Sequence, residues 1–328
     1  MRFLLYRVKM FFVVFIMKII EKIKMKLHVF GYSSEHWDTA AWYGSGGFKF
    51  YWEMSDLVDK YQKKMMTGSE EKDHVSFSID YLNNSLKNRE RLTGLCIGCS
   101  EIVKPEMAFC ETGQFSYFKV IDIAAKLIAR QRLEAQKRGL NQIEYIVSDL
   151  NNIVLNEDEY DLIFAQGTVH HVKNLENLFE QIQKGLKKEG LFIMREYIGP
   201  NHLQFTEKQL DIVNGLLLEI PKKYRKRWNG IVKECEVNVN MKDLLKVDPS
   251  EAVRSSEIMN ILERNLKIVY CAKTGGTIIS PLLNGITSNF EVDKQGSAIL
   301  EKLIINEIEM INNNVIESDY VYCIAKRY

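Results

Sequence analysis

Between Arg91 and Pro200 five short apolar runs alternate with helix-like stretches, and this alternation restricts the chain more than any other feature. A strand that is apolar along its whole length must be covered on both faces, which a parallel sheet with helices on either side provides. The runs are Leu92–Gly98, Phe118–Ile123, Ile143–Val147, Tyr160–Gln166 and Leu191–Tyr197. Ala124–Arg138 has helical spacing and is closed by Gly139, and Asn174–Leu186 is a second helix stopped near Gly190. Leu266–Cys271 and Tyr320–Ala325 read as a late strand pair, separated by the helix-like segments Ile278–Ile286 and Ala298–Ile311. Together these predict an α/β fold: a doubly wound, mostly parallel sheet of seven strands whose last strand inserts antiparallel.

The flanks are more helical. Tyr51–Met66 and Val75–Leu86 carry apolar residues at helical spacing, with a break at Thr67-Gly68. Thr206–Leu218 is an amphipathic helix with a threonine N-cap and Glu207 in its first turn. A basic stretch, Lys222–Arg227, and a polar segment follow, and Ser255–Arg264 reads as a further helix. Lys222–Arg227 suits a solvated helix end or the attraction of a phosphate-bearing acceptor.

Composition excludes several classes. Forty-four basic and 43 acidic residues leave a formal net charge of +1, so no global field draws the chain to nucleic acid or anionic membrane. The six cysteines are scattered, which suits reduced thiols in a cytoplasmic protein better than a disulfide scaffold. Cys96 and Cys99 form a CxxC, but no second pair completes a zinc site and Cys96 falls within a strand, so no metal is expected. At the N-terminus the apolar run Met10–Met17 lies among seven basic residues between Arg2 and Lys26. It is shorter than the about 20 residues a bilayer span needs. Three readings stay open for residues 1–27: a peripheral membrane contact, a packing helix, or a start upstream of the true initiator at Met17 or Met25.

In a doubly wound sheet, ligands bind beyond the carboxyl ends of the strands. After the first strand come Gly98, Cys99 and Ser100, small residues that let backbone N–H groups approach a ligand. The second strand ends in Asp122 and Ile123, about 20 residues on, where an acid can accept both hydroxyls of a ribose. The third is followed by Asp149 and Leu150, the fourth by Gln166 and the pair His170-His171, and the fifth by Arg195, Glu196 and Tyr197. Each has a plainer alternative. Asp122 suits a helix cap, Asp149 a turn acid before Asn151-Asn152, the histidines a turn, and Glu196 a partner for Arg195 or Arg254.

In this order the segments resemble the motifs of class I S-adenosylmethionine-dependent methyltransferases. Leu95–Ser100 is similar to motif I, Val120–Ile123 to motif II, Val147–Leu150 to motif III and Tyr160–Val172 to motif IV, with Leu191–Tyr197 as the fifth strand. The resemblance implies a Rossmann-like methyltransferase fold that binds S-adenosyl-L-methionine. Gly98, Cys99 and Ser100 would face its methionine part, Asp122 and Ile123 the ribose, and Asp149 and Leu150 the adenine, with Gln166 close by. A narrower likeness, in Arg195–Asn201, Gln204–Thr206 and Asp248–Ser255, is to bacterial methyltransferases associated with surface-glycan and glycosyltransferase gene clusters. The implied acceptor is a sugar hydroxyl or a related small molecule or glycan, with no nucleic acid partner. His171, Glu196 and His170 are the expected catalytic residues.

The expected organisation is an N-terminal extension and helical cap at 1–90, the cofactor-binding core at 91–200, a helical lid over the acceptor at 201–254, and C-terminal helices and strands at 255–328. One departure stands out: Ser100 and Ile102 occupy the later positions of a loop that usually reads Gly-x-Gly-x-Gly. A bulky β-branched Ile102 disfavours positive φ, so either the loop takes another path or cofactor binding is weakened. The alternative from another class is a degenerate, non-catalytic binding or scaffold module. A nicotinamide-dependent oxidoreductase would need a Gly-x-Gly-x-x-Gly fingerprint that the chain lacks.

Overall fold

The structure is a computed structural model that describes residues 51–86, 91–100, 103–227 and 229–328. Residues 1–27 and Ile102, on which two of the readings above fall, lie outside the described residues. The described chain divides into two compact units. One takes residues 62–202, 248–274 and 318–328; the other takes the described residues up to Tyr61 with 203–247 and 275–317.

The first unit is built on the sheet. Its strands are β1 (Leu92–Ile97), β2 (Phe115–Asp122), β3 (Ile143–Val147), β4 (Tyr160–Gln166), β5 (Leu186–Tyr197), β6 (Lys267–Gly275) and β7 (Tyr320–Lys326). They lie in the order β3-β2-β1-β4-β5-β7-β6, with β1 to β5 parallel and β7 antiparallel to β5. This is the doubly wound seven-stranded fold that the sequence predicts. The order reverses between β1 and β4, which places the ligand crevice at their carboxyl ends.

Side chains alternate across the sheet with a period of two, and both faces are buried. On one face Leu95, Ile97, Ile163, Ala165, Phe192 and Met194 pack with Leu178, Phe179 and Ile182 of a helix at Leu175–Gly185. On the other, Cys96, Phe118, Val120, Leu162, Phe164 and Ile193 pack with Phe109 and Ile128. Gly94 is required there, because a Cβ would lie 2.3 Å from the Phe118 ring.

Numbered along the chain, the helices are α1 (Asp56–Thr67), α2 (His74–Ser85), α3 (Pro105–Glu111), α4 (Ala125–Lys137), α5 (Leu175–Gly185), α6 (Glu207–Glu219), α7 (Met241–Val247), α8 (Ile258–Asn265), α9 (Ile279–Leu283) and α10 (Lys294–Asn312). Two of them, α3 and α7, were not expected. Pro105 at the first position of α3 is its one sequence signal, since proline is pre-set for a helix start. β5 begins at Leu186, five residues before the apolar run, because Leu186 pairs with Tyr160 ahead of a register shift.

The cysteine reading needs a correction. Cys271 on β6 and Cys323 on β7 are joined as a disulfide, because neighbouring strands bring their Cα atoms to 4.2 Å. Cys96, Cys99, Cys110 and Cys235 are free.

The second unit is held by buried charge. Thr206 and Gln209 form a capping box on α6. The Glu307 carboxylate accepts from the N–H groups of Gly276, Ile278 and Ile279, and fully buried Lys233 donates to the carbonyls of Pro281, Leu282 and Asn284. In the basic stretch, Arg225 is buried against the carbonyls of Ile220 and Lys233 and pairs with Glu234, so it serves the framework. Among the described residues no helix is long and apolar enough to cross a membrane.

Candidate active site

The carboxyl ends of β1 and β2 form one half of the site. Gly98 turns the chain at φ +90°, and its N–H reaches the Ile121 carbonyl at 2.8 Å. A Cβ at this position would lie 1.9 Å from Thr168 Oγ1, so the turn admits glycine only. Asp122 accepts from the Cys99 N–H at 2.8 Å through one oxygen and from the Ala124 N–H at 2.7 Å through the other. Burial raises its carboxyl above the ordinary range, against the pull of those two hydrogen bonds. Asp122 does not cap the following helix, whose N-cap Ala124 receives no side-chain bond; it ties the glycine turn to the loop ahead of that helix. Each oxygen has a second lone pair, so these bonds leave room for ribose hydroxyls.

Beside Asp122, Ile123 is 69% exposed, an apolar side chain with no place in the core. Asp149 caps the turn Leu150–Asn152 by accepting from the Asn151 N–H at 2.9 Å, and its carboxylate also receives both asparagine amides. An open cavity of about 430 Å3 adjoins it, lined by Asp149, Asn151, Asn152, Lys173 and Asn174. Gln166 ends β4, held at 2.8 Å by Nε2 of His74 in α2. Behind the loop, burial pushes the Glu106 carboxyl up to about 7, although it accepts from the Tyr145 hydroxyl at 3.1 Å.

The other half lies at the ends of β4 and β5. A short 3-10 turn, Val169–His171, presents two adjacent imidazoles whose ring centres are 4.2 Å apart. Glu196 lies beneath the turn with its side chain fully buried. One of its oxygens accepts from the N–H groups of Thr168 at 2.9 Å and Val169 at 2.7 Å; the other accepts from Tyr197 N–H at 2.8 Å and meets Nδ1 of His170. Burial opposes charge on both partners, and their mutual attraction overcomes it. The Glu196 carboxyl is held below its ordinary range and the His170 imidazole rises to about 9. Burial and the neighbouring His170 charge lower His171 instead. The two imidazoles thus differ in charge near neutral pH, a separation typical of working sites.

Residues 248–254 complete this corner. Nδ1 of His171 lies 3.1 Å from the Ser250 hydroxyl and 3.7 Å from Asp248, and Nε2 of His170 lies 3.7 Å from Glu251. Val253 N–H donates to the His170 carbonyl at 3.1 Å, which ties this segment to the histidine turn. Arg254 pairs with Glu176 and Glu257, away from Glu196.

All the sequence-derived site residues described here thus fall at the carboxyl ends of β1 to β5, but Glu196 needs a new role. It is sealed beneath His170 and cannot touch an acceptor, because its oxygens are occupied by three backbone donors and an imidazole. The alternative pairing with Arg195 or Arg254 does not form either; Arg195 reaches Gln62 at 2.9 Å. The sequence alone did not bring Asp248, Ser250 and Glu251 to the histidines. The only hint was that they share a segment whose wording resembles known methyltransferases.

Comparison with known families agrees with this layout: residues 95–194 match the model of the methyltransferase domain. With the seven-stranded order, the match defines a class I methyltransferase domain spanning β1 to β5. The chain is an S-adenosylmethionine-dependent methyltransferase, and its cofactor is S-adenosylmethionine. Among solved structures, an S-adenosylmethionine-dependent methyltransferase from Mesorhizobium loti is 16% identical, with a TM-score of 0.43 over 76% of this chain and 96% of that one. Geranyl diphosphate C-methyltransferase from Streptomyces coelicolor A3(2) is 12% identical, with a TM-score of 0.45 over 88% of each chain. The YcgJ protein from Bacillus subtilis is 15% identical, with a TM-score of 0.40 over 76% of this chain and 98% of that one. At these values the likeness says nothing about an acceptor. Comparison with curated proteins gives no match.

Proposed function

We propose that the enzyme methylates a hydroxyl oxygen of a sugar or a related small-molecule or glycan acceptor, docked at the His170–His171 turn. The observation that carries this reading is the polarity of that corner. Two imidazoles, the Ser250 hydroxyl and the carboxylates of Asp248 and Glu251 converge within hydrogen-bonding range of one another or nearly so. A polar, hydroxyl-bearing acceptor can join this network, whereas an apolar one would strip water from it and return no hydrogen bond.

S-adenosylmethionine supplies an already activated methyl group when bound, so the protein's share is positioning and water exclusion. The turn at Gly98, Cys99 and Ser100 offers backbone donors, Asp122 offers two oxygens to a ribose, and exposed Ile123 offers an apolar face to the base. Asp149, Leu150 and Gln166 border the same edge. A hydroxyl attacks well only when its proton is shared with a neighbouring group. His171, its pKa lowered by burial and the neighbouring charge and its side chain 23% exposed, is the imidazole able to do this; His170 is held in orientation, and charged, by fully buried Glu196. A peripheral membrane contact through residues 1–27 belongs to the same proposal.

The test is transfer of a labelled methyl group from S-adenosylmethionine to a panel of sugar nucleotides and soluble glycans, with peptides and nucleic acids as controls. The expected product is an O-methyl ether on a sugar. Label found only on nitrogen, carbon or a non-carbohydrate control would overturn the acceptor class while leaving methyl transfer in place.

A further inference from the structure

We propose that His170, His171 and Glu251 form a binding site for a first-row divalent transition-metal ion at the carboxyl ends of β4 and β5. One ligand atom from each of the three lies within 4.8 Å of the others, a spread that small side-chain rotations close to coordination distance. Each imidazole is also braced on a second nitrogen. Nδ1 of His170 meets buried Glu196, and Nδ1 of His171 lies 3.1 Å from the Ser250 hydroxyl, which in turn bonds to Asp248. Metal-binding histidines are held in this way, by a carboxylate or hydroxyl on the nitrogen that does not face the ion.

The bracing is itself rigid. Three backbone N–H groups fix Glu196, so the nitrogen of His170 that remains, Nε2, is directed toward Glu251 at 3.7 Å. The donors of the cluster are thus Nε2 of His170, one imidazole nitrogen of His171 and one carboxylate. Such a set suits Zn2+, Mn2+, Fe2+ or Co2+, whereas Mg2+ and Ca2+ prefer oxygen donors throughout. Three protein ligands leave coordination positions open for water or for an oxygen of the acceptor. What the ion does there rests on the methyl-transfer reading, but its binding does not.

The experiment is calorimetric titration of the chelator-treated, full-length enzyme with Zn2+ or Mn2+ alone, and with Mg2+ for comparison. S-adenosylhomocysteine affinity and circular dichroism are measured on the same samples. The expected result is one transition-metal ion per chain, with Mg2+ bound far more weakly. His171→Asn and Glu251→Gln should each weaken the ion by about tenfold or more, and Glu196→Gln by about 10–100-fold through loss of the His170 brace. Glu251 is partly exposed, so its variant keeps the proposal testable if a histidine variant fails to fold. No stoichiometric binding by the wild type would overturn the proposal, as would binding unchanged in both folded ligand variants. If S-adenosylhomocysteine still binds in either case, the methyltransferase reading survives the loss of the metal site.

Discussion

The two halves of the site are built on different principles. At the ends of β1 and β2, backbone does most of the work: a glycine turn, N–H groups, and a single acid that organises them. At the ends of β4 and β5, side chains hold side chains, with a buried carboxylate orienting one histidine and a serine the other. The first half can serve any ligand of one shape, which suits a fixed cofactor. The second concentrates charge and hydrogen-bonding capacity, which suits an acceptor that must be activated. Substitutions in the two halves should therefore fail differently.

The largest effect is expected at Glu196. Glu196→Ala removes the acceptor for three buried N–H groups and for the His170 imidazole. Stability should fall by about 3–5 kcal/mol, read by urea denaturation. A loss below about 1 kcal/mol, on the scale of an exposed pair, would show that the histidine half is not side-chain built.

Gly98→Ala comes next. It adds a Cβ against Thr168 and forces a non-glycine residue to φ +90°. The cost should be about 2–4 kcal/mol, together with weakened S-adenosylhomocysteine binding. Full stability with intact binding would mean that the turn is not the strained support of the cofactor half.

Glu106 sharpens the comparison with an effect of opposite sign. Its carboxyl is raised from 4.5 to about 7, so the fold favours the neutral form. Stability from this group is full below about pH 4.5 and is lost as the pH rises toward about 7. Glu106→Gln should therefore stabilise the enzyme at pH 8 by about 2–3 kcal/mol and flatten that part of the pH profile. A variant less stable than wild type at pH 8 would mean that the Tyr145–Glu106 bond outweighs burial.

How much of this was legible in the sequence follows from the same contrast. β4 has the bounds that its apolar run predicts, because a buried central strand writes itself as a continuous run; β3, at the sheet edge with only Tyr145 buried, is marked instead by its β-branched residues. The position of Asp122 beside the glycine turn was legible because both residues lie at strand ends of one βαβ unit, whose strands pair side by side. α3 was missed because seven residues are too few to show a helical period. The joining of Glu196, His170 and Glu251 was missed because it unites segments 26 and about 80 residues apart, which no local pattern encodes. The same holds for Cys271 and Cys323, 52 residues apart and made neighbours only by strand order.

The most direct measurement is calorimetry of S-adenosylmethionine and S-adenosylhomocysteine on the wild type, on Asp122→Ala and on His171→Asn. The wild type should bind both nucleosides. Asp122→Ala should weaken them by about 1.5–3 kcal/mol, roughly ten- to a hundredfold, because a charged acceptor loses its hydroxyl partners. His171→Asn should bind them nearly as the wild type does, since its side chain belongs to the acceptor half. Undetectable binding of both nucleosides by the folded wild type at millimolar concentration would contradict the account, as would an Asp122→Ala variant that binds as well as the wild type.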